Sequence, residues 1–253
     1  SNYALIIQAL KMITQQFFQS LIASVGNLKA SADEQRVLTV FYRILFLSFW
    51  LFSFLAIGLG VMVNPFVALW LGKEYCFDSF TAFILAANFF FYAVRQVVLT
   101  FRDATGTYYY DRYKPLFEAV INLAASVWMV QMWGVAGIFM GTMLGFFFTG
   151  FWVEPWVLCK HVFGCPLTEY FKKYFQYLAV VCIAAIVTFA VSFQIDDTGI
   201  GSFLLRFAAC IIIPNSIFWI AFHHTSEYCY VCQLLKNMFE NRFKALVTER
   251  SKK

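Results

Sequence analysis

The sequence predicts an all-α polytopic membrane protein, and two observations predict it: the composition and the length of the apolar segments. Of the 253 residues, 61% are hydrophobic and 13% are charged, whereas a soluble domain carries about 25% charged residues. The apolar segments run for about twenty residues, which is the length of a helix that crosses the hydrocarbon core of a bilayer. A β-barrel would instead show alternating segments of about ten residues.

Seven segments have this length, and the first is the most polar of them. Asn64-Pro65 is expected to end the second, Gly134 to allow a tight turn after the fourth, and Glu154-Pro155 to end the fifth. Asp196 and Asp197 mark the turn before the seventh. The predicted spans are residues 3–28, 40–63, 80–100, 115–132, 135–153, 174–193 and 203–222.

Residues 1–225 therefore form a predicted transmembrane domain, and residues 226–253 form a predicted amphipathic tail. The tail places apolar side chains at helical spacing among Lys and Glu. Such a helix lies on anionic lipid or packs on the helical bundle, and both alternatives stay open. The first residue is Ser rather than Met, and the helical pattern begins at once. We therefore expect the chain to be the C-terminal piece of a longer protein.

Basic residues concentrate in alternate loops, and this sets the predicted orientation. The polar stretch at residues 102–115, RDATGTYYYDRYKP, carries Arg102, Arg112 and Lys114, and the tail adds further Lys and Arg. Lys73 and Arg206 fall on the opposite side. Since cytoplasmic loops carry an excess of Lys and Arg, the sequence predicts that stretch 102–115 and the C-terminus are cytoplasmic.

One polar face on the first helix is the strongest candidate for a substrate site. Four residues recur at three- and four-residue spacing and share one helical face. Ionisable groups inside a span usually face protein or a wet cavity, so this face predicts the wall of a transport cavity in which Lys11 attracts an anionic substrate. The alternative is a polar seam between helices, with Lys11 reaching the headgroups. The four residues are Gln8, Lys11, Gln15 and Gln19, and Thr14, Gln16 and Ser20 widen the face.

The third and fourth helices carry further polar candidates. Asn88, Tyr92 and Arg95 share one face of the third helix, so Arg95 reaches either the cavity or the headgroups. Glu118 either pairs with a cation of the neighbouring loop or binds a coupling ion, H⁺ or Na⁺. Glu154 is expected at the membrane interface, beside Pro155.

The spacing of the small residues and cysteines indicates structural roles rather than metal binding. Gly137, Gly141 and Gly145 are spaced by four, which allows two helices to approach closely. The seven Cys and three His lack the spacing of a metal site, so we expect free thiols, no metal and no cofactor.

Four stretches together resemble a known family. They are residues 20–28 (SLIASVGNL), 69–75 (LWLGKEY), 101–127 (FRDATGTYYYDRYKPLFEAVINLAASV) and 151–163 (FWVEPWVLCKHVF). Between about residues 2 and 163 the chain is similar to the bacterial polysaccharide repeat-unit flippases for O-antigen, capsule and exopolysaccharide. These flippases belong to the multidrug/oligosaccharidyl-lipid/polysaccharide exporter superfamily.

The resemblance implies an inner-membrane transporter of two helical lobes, of which this chain would be the C-terminal lobe. It implies alternating-access transport of an undecaprenyl-pyrophosphate-linked oligosaccharide, with membrane lipids and other polysaccharide assembly proteins as partners and no nucleic acid. Cationic cavity residues are typical of this family, and Lys11 and Arg95 are the candidates here. Arg102, Arg112 and Lys114 would gather the anionic headgroup or act only as topology signals.

Two other functions stay as alternatives. A drug or cation exporter of the same superfamily would need an acidic residue deep in a span, and Glu118 is the nearest candidate. A membrane polysaccharide polymerase or glycosyltransferase would need a large external loop or an acidic pair at an interface. Asp196-Asp197 is an adjacent acidic pair, and it lies in a short turn.

Overall fold

The computed structural model describes residues 2–31, 33–195, 199–233 and 236, and within them the chain forms helices and no strands. Residues 226–233 are also helical. Two 3₁₀ turns, Lys73–Tyr75 and Thr107–Asp111, and one π-helical turn, Cys159–Phe163, join longer elements. The longer helices are α1 (Asn2–Ser31), α2 (Glu34–Trp70), α3 (Ser79–Ala104), α4 (Lys114–Trp133), α5 (Val135–Phe148), α6 (Gly150–Leu158), α7 (Leu167–Phe193) and α8 (Gly199–Phe222).

In the described part of the chain, six helical segments are long and apolar enough to cross a membrane. They are α2, α3, α4, α7, α8 and the continuous unit from α5 to the π-helical turn. The chain is thus an all-helical protein compatible with a polytopic membrane protein. The predicted first span is confirmed as a helix of 30 residues, but its polar face keeps it out of this set, and its role as a span stays a prediction.

Helix α2 forms the centre of the bundle. It packs against α1, α3, α7 and α8, and its aromatic side chains Phe41, Phe46, Phe49 and Phe52 are at most 1% exposed. Phe49 meets the Tyr174 ring edge-on at 4.9 Å. Because aromatic side chains bury large areas in defined geometries, α2 fixes the positions of α1 and α3, which carry the polar candidates.

The second predicted span does not end at Asn64-Pro65. Helix α2 continues through Pro65 to Trp70, although Pro removes one helical hydrogen bond. Tertiary contacts outweigh that loss: Val67 is fully buried, and the Asn64 amide donates to the Phe77 carbonyl at 2.9 Å. The expected end was therefore wrong, because packing overrode the local preference.

The fifth predicted span does not end at Glu154-Pro155 either. The break lies earlier, at Thr149, and α6 begins at Gly150 and runs through Pro155 to Leu158. Both Val157 and Leu158 are fully buried. The helix continues past the proline because its next turn packs into the core.

Helices α4 and α5 form a hairpin with a single connecting residue, as the sequence predicts. Gly134 joins them with φ +56°, a backbone conformation that glycine adopts at no steric cost. A Cβ at Gly141 would lie 2.2 Å from the Ser126 hydroxyl oxygen. The spacing of Gly137, Gly141 and Gly145 therefore serves close contact between α4 and α5, which confirms its structural interpretation.

The start of the predicted tail packs on the bundle. The Tyr228 ring stacks on Trp50 at 5.3 Å, Val231 is 2% exposed, and Lys173 donates to Glu227 at 2.6 Å. Asp196, Asp197 and most of the tail, residues 234–235 and 237–253, lie outside the described residues.

Candidate functional site

Two residues of the predicted polar face on α1 meet one residue of the predicted face on α3. The Lys11 ammonium lies over the Tyr92 ring, 4.6 Å from its centroid. The Gln15 amide donates to the Tyr92 hydroxyl at 3.0 Å. We call Lys11, Gln15 and Tyr92 the α1–α3 polar site. A cation over an aromatic ring is attracted by the ring's electron density, so Tyr92 orients Lys11 without neutralising its charge.

Charge and exposure make this site available to a ligand. Lys11 and Tyr92 are partly buried and Gln15 is exposed. Among the described residues, no ion pair includes Lys11. A cation without a carboxylate partner in an apolar bundle is costly, so an anionic group that pairs with it is stabilised there.

Other predicted members of the face are placed differently. Gln8, Gln16, Gln19 and Ser20 are exposed on α1 and extend the polar surface beyond Lys11. Thr14 does not widen the face, and that expectation was wrong. Its side chain is fully buried. The burial is tolerated because the Thr14 hydroxyl donates a hydrogen bond to the Leu10 carbonyl at 2.8 Å.

Asn88 shares the α3 face with Tyr92 but bonds to another helix. Its amide donates to the Phe139 carbonyl of α5 at 2.6 Å. Asn88 therefore holds α5 against α3, while Tyr92 contacts α1.

Arg95, one helical turn from Tyr92, joins two carboxylates. Its guanidinium donates to Glu118 at 2.7 and 2.8 Å and to Glu154 at 2.6 and 3.0 Å. Such paired bonds between Arg and carboxylate are strong and directional. Arg95 thus connects α3 to α4 and α6.

The ion pairs continue toward the loop at residues 102–115. The Lys114 ammonium donates to Glu154, lies 3.7 Å from Glu118 and lies 3.9 Å from Asp111. Arg102 donates to Asp111 at 2.8 Å. We call this set the charge cluster: Arg95, Arg102, Asp111, Lys114, Glu118 and Glu154.

The six residues of the charge cluster carry equal numbers of positive and negative charges and are largely buried, and the exposed Asp103 carboxylate also pairs with Arg102 at 3.1 Å. The cluster contains two arginines and a lysine against three carboxylates, and the side chains of Glu154, Asp111 and Lys114 are 1%, 1% and 5% exposed. Buried charges are tolerated when they are paired and hydrogen-bonded. Its chemistry is therefore that of a structural clamp between helices.

The three predicted loop cations separate into two environments. Arg102 and Lys114 belong to the charge cluster, whereas Arg112 is exposed and lies over the Tyr109 and Tyr113 rings at 4.4 and 4.8 Å. Of the three, Arg112 retains a charge on the surface. Glu118 pairs with Lys114 of the neighbouring loop, as one of its two alternatives predicts, and also with Arg95.

Sequence reasoning missed the central role of Glu154, which is buried in the cluster rather than set apart at the end of a helix. Gly150 carried a signal for it. A Cβ at Gly150 would lie 2.9 Å from the Arg95 guanidinium and 3.1 Å from the Glu154 carboxylate. The missing side chain at Gly150, one turn before Glu154, leaves the room that the Arg95 guanidinium occupies.

No protein-family description, curated protein or solved structure matches the chain.

Proposed function

We propose that the chain is part of a flippase that moves lipid-linked oligosaccharides across the bacterial inner membrane for surface polysaccharide synthesis. The substrate class is an undecaprenyl-pyrophosphate-linked repeat unit, carried from the cytoplasmic to the periplasmic leaflet by alternating access. The observation that carries the proposal is the α1–α3 polar site, in which Lys11 and Gln15 both contact Tyr92 and Lys11 forms no ion pair with any residue that the structure describes.

The chemistry of the substrate fits such a site. A pyrophosphate-linked glycan cannot enter hydrocarbon unaided, because its charges and hydroxyl groups would lose their hydration. Lys11 would attract the pyrophosphate, and the exposed glutamine amides of α1 would donate to and accept from sugar hydroxyls. The choice of this substrate class comes from the expected resemblance of residues 101–127 to flippase sequences.

The proposal includes an orientation, with the C-terminus in the cytoplasm. The basic ends of the helices support it: Lys29 at the end of α1 donates to the Val162 carbonyl after α6 at 3.3 Å. The loop at residues 102–115 follows α3, and the Ala104 carbonyl lies 3.7 Å from where a Cβ of Gly26 on α1 would be. Basic segments thus collect at one end of the bundle, as the positive-inside rule requires.

Substitution of Lys11 tests the function in the complete encoded protein. Lys11→Ala should lower transport of the lipid-linked glycan about 5- to 30-fold, the factor that corresponds to the loss of one ion contact of about 1–2 kcal/mol. Lys11→Arg should retain most of it, and Lys172→Ala, which removes an exposed cation elsewhere, should retain all. The measurement is transport of fluorescent glycan-lipid in proteoliposomes at equal protein incorporation. Unchanged transport by Lys11→Ala would refute the proposed role.

Site-directed labelling tests the orientation separately. Tyr109 is 60% exposed in the basic loop, so a cysteine placed there in a background without native cysteines should react with a membrane-impermeant maleimide only after permeabilisation. Labelling of intact cells would invert the proposed orientation.

A further inference from the structure

Exposed aromatic and basic side chains form a continuous row at the basic end of the bundle. The row joins the loop between α3 and α4 to the π-helical turn after α6, where the Tyr110 ring stacks on the His161 ring at 3.8 Å and 5°. Since these two segments are far apart in sequence, only the fold creates this surface. We call it the aromatic–cation row: Arg112, Tyr109, Tyr110, His161, Trp156 and Lys160. All six side chains are exposed, and none belongs to the α1–α3 polar site or to the charge cluster.

A cation lies over an aromatic ring at each end of the row. The Arg112 guanidinium lies 4.4 Å from the centroid of the Tyr109 ring, and the Lys160 ammonium lies 4.7 Å from the centroid of a Trp156 ring. Further ring contacts, at 6.0 and 6.2 Å, connect these two pairs to the stacked pair at the centre of the row. An aromatic ring attracts a cation but carries no net charge to neutralise it. The rings therefore hold both cations in place while their positive charge remains.

Neither of these two cations forms an ion pair with a carboxylate in the part of the chain that the structure describes. The carboxylates of the adjoining loop already have a partner. Asp111 accepts from Arg102 at 2.8 Å, and Asp103 pairs with the same guanidinium at 3.1 Å. The row therefore presents positive charge to its surroundings, and the complementary partner is anionic.

The row adjoins apolar surface on helices that are long enough to cross a membrane. Leu116 and Phe117, in the first turn of α4, are 65% and 62% exposed. Trp152, one turn before Trp156 on α6, is 51% exposed. Tyr and Trp are enriched where such apolar surface meets the lipid headgroups, because their rings are apolar and their polar atoms reach water. This position favours lipid headgroups over a soluble protein as the anionic partner.

We propose that the aromatic–cation row binds anionic phospholipids of the membrane leaflet that it faces, with lipid phosphates beside Arg112 and Lys160 and the rings in the headgroup layer. Lys and Arg near a membrane surface attract anionic lipids, and the planar guanidinium group matches phosphate geometry. The proposal requires that the chain spans a membrane, but it does not depend on the transported substrate. A failure of the flippase function would leave it unchanged.

Native mass spectrometry of the complete encoded protein in detergent tests the proposal. The probes are dioleoylphosphatidylglycerol and dioleoylphosphatidylcholine, each added alone. We expect phosphatidylglycerol to bind more tightly than phosphatidylcholine. Arg112→Gln and Lys160→Gln should each weaken phosphatidylglycerol binding about fivefold, the factor that corresponds to one cation near anionic headgroups.

Arg36→Gln is the matched control for the charge. It removes an exposed arginine near the start of α2, at the same end of the bundle, because the first residue of α2, Glu34, lies 3.9 Å from Lys29 and Lys29 in turn bonds to the π-helical turn. Among the described residues, no aromatic ring holds Arg36. Its loss should weaken phosphatidylglycerol binding much less, because a side chain that is not held in place loses more conformational freedom when it binds.

A second variant separates the rings from the charges. Trp156→Leu keeps an apolar side chain on α6 but removes the ring beneath Lys160. It should weaken phosphatidylglycerol binding about two- to fivefold, as the loss of one exposed cation–aromatic contact implies. Because the substituted side chains are exposed, the variants should fold, and helical circular dichroism with a single elution peak checks this.

Two results would overturn the proposal. One is equal binding of phosphatidylglycerol and phosphatidylcholine by the wild type. The other is row variants that bind phosphatidylglycerol as well as Arg36→Gln does. That result would assign lipid binding to the basic end as a whole and leave the row to a soluble acidic partner.

Discussion

Two basic side chains lie one helical turn apart along α3, Lys11 of α1 at Tyr92 and Arg95 of α3 itself, and their surroundings differ. At Tyr92, the Lys11 ammonium lies over an aromatic ring, and in the described part of the chain it forms no ion pair. At Arg95, the guanidinium is held by the carboxylates of Glu118 and Glu154. The first cation has no carboxylate partner among the described residues, whereas the hydrogen bonds of the second join three helices.

This difference in carboxylate pairing separates charges that stabilise the fold from charges that are open to a ligand. A buried cation with paired carboxylates is costly to disrupt, because removal of one partner leaves an uncompensated charge. Removal of a cation that contacts only an aromatic ring should lower the stability of the protein by much less. Stability measurements should therefore distinguish the charge cluster from the α1–α3 polar site.

The largest effect is expected for Glu154→Gln. This change leaves Arg95 and Lys114 with one carboxylate fewer, and breaking a buried pair costs about 3–5 kcal/mol. Thermal or denaturant unfolding of the detergent-solubilised protein measures the loss. Glu169→Gln, at an exposed carboxylate on α7, should change stability by less than about 0.5 kcal/mol. Equal stabilities of the two variants would contradict the clamp role of the cluster.

A smaller effect is expected for Gly150→Ala. The added methyl group would crowd the Arg95 guanidinium and the Glu154 carboxylate, and overpacking of this kind costs about 1–3 kcal/mol. Gly58→Ala is the matched control, because a Cβ at Gly58 meets nothing within 4 Å. The control should be neutral or slightly stabilising, since alanine favours helices. The same unfolding assay compares them, and a Gly150→Ala protein as stable as the control would show that the cluster can move aside.

Lys11→Ala should have little effect on stability although it abolishes most of the proposed transport. It removes one cation–aromatic contact at a partly buried site, which is worth about 1–2 kcal/mol. Comparison of its unfolding midpoint with that of Glu154→Gln gives the sharpest test of the contrast between the two regions. A loss of several kcal/mol would place Lys11 among the structural charges.

The smallest effect is expected for Glu227→Gln, which removes the ion pair between Lys173 and Glu227. The two side chains are 36% and 15% exposed, so the pair is only partly buried. Burial, the largest single influence, would raise the pKa of the Glu227 carboxyl, but the bond to Lys173, the backbone hydrogen bond and the bond from Ser226 together outweigh it and lower the pKa below its ordinary value of 4.5. A lowered folded-state pKa stabilises the protein above pH 4.5, and this stability is lost as the pH falls through the folded-state value.

Wild type and Glu227→Gln should therefore converge in stability as the pH falls below 4.5. At neutral pH they should differ by less than about 1 kcal/mol, as partly exposed pairs do. Unfolding curves between pH 3 and 7 measure this, and a constant difference across that range would exclude the ion pair as its source.

Much of the fold follows from local sequence signals. Apolar segments of sufficient length predict the helices, and Gly134 predicts the turn between α4 and α5. These signals act within a few residues, so the sequence reveals them directly. The helix ends at Pro65 and Pro155 were wrong because the gain from distant packing exceeded the local cost of proline.

The two regions of polar residues differed in how well they could be predicted. Helical spacing placed Lys11 and Gln15 on one face of α1 because the period of a helix is fixed. It could not show that Tyr92 would meet them, since that contact depends on how α1 packs on α3. The charge cluster was harder still, because Arg95 and Glu154 are 59 residues apart and only the folded arrangement of α3, α4 and α6 brings them together.

The one-residue turn at Gly134 has a consequence for biogenesis. Between Glu118 and Glu154 the chain carries no charged residue, so the segment that would cross the bilayer when α4 and α5 insert is uncharged. Moving charged loops through hydrocarbon costs several kcal/mol per residue. An uncharged hairpin avoids that barrier, and its two helices, already fitted together at their glycines, would enter the bilayer as one unit.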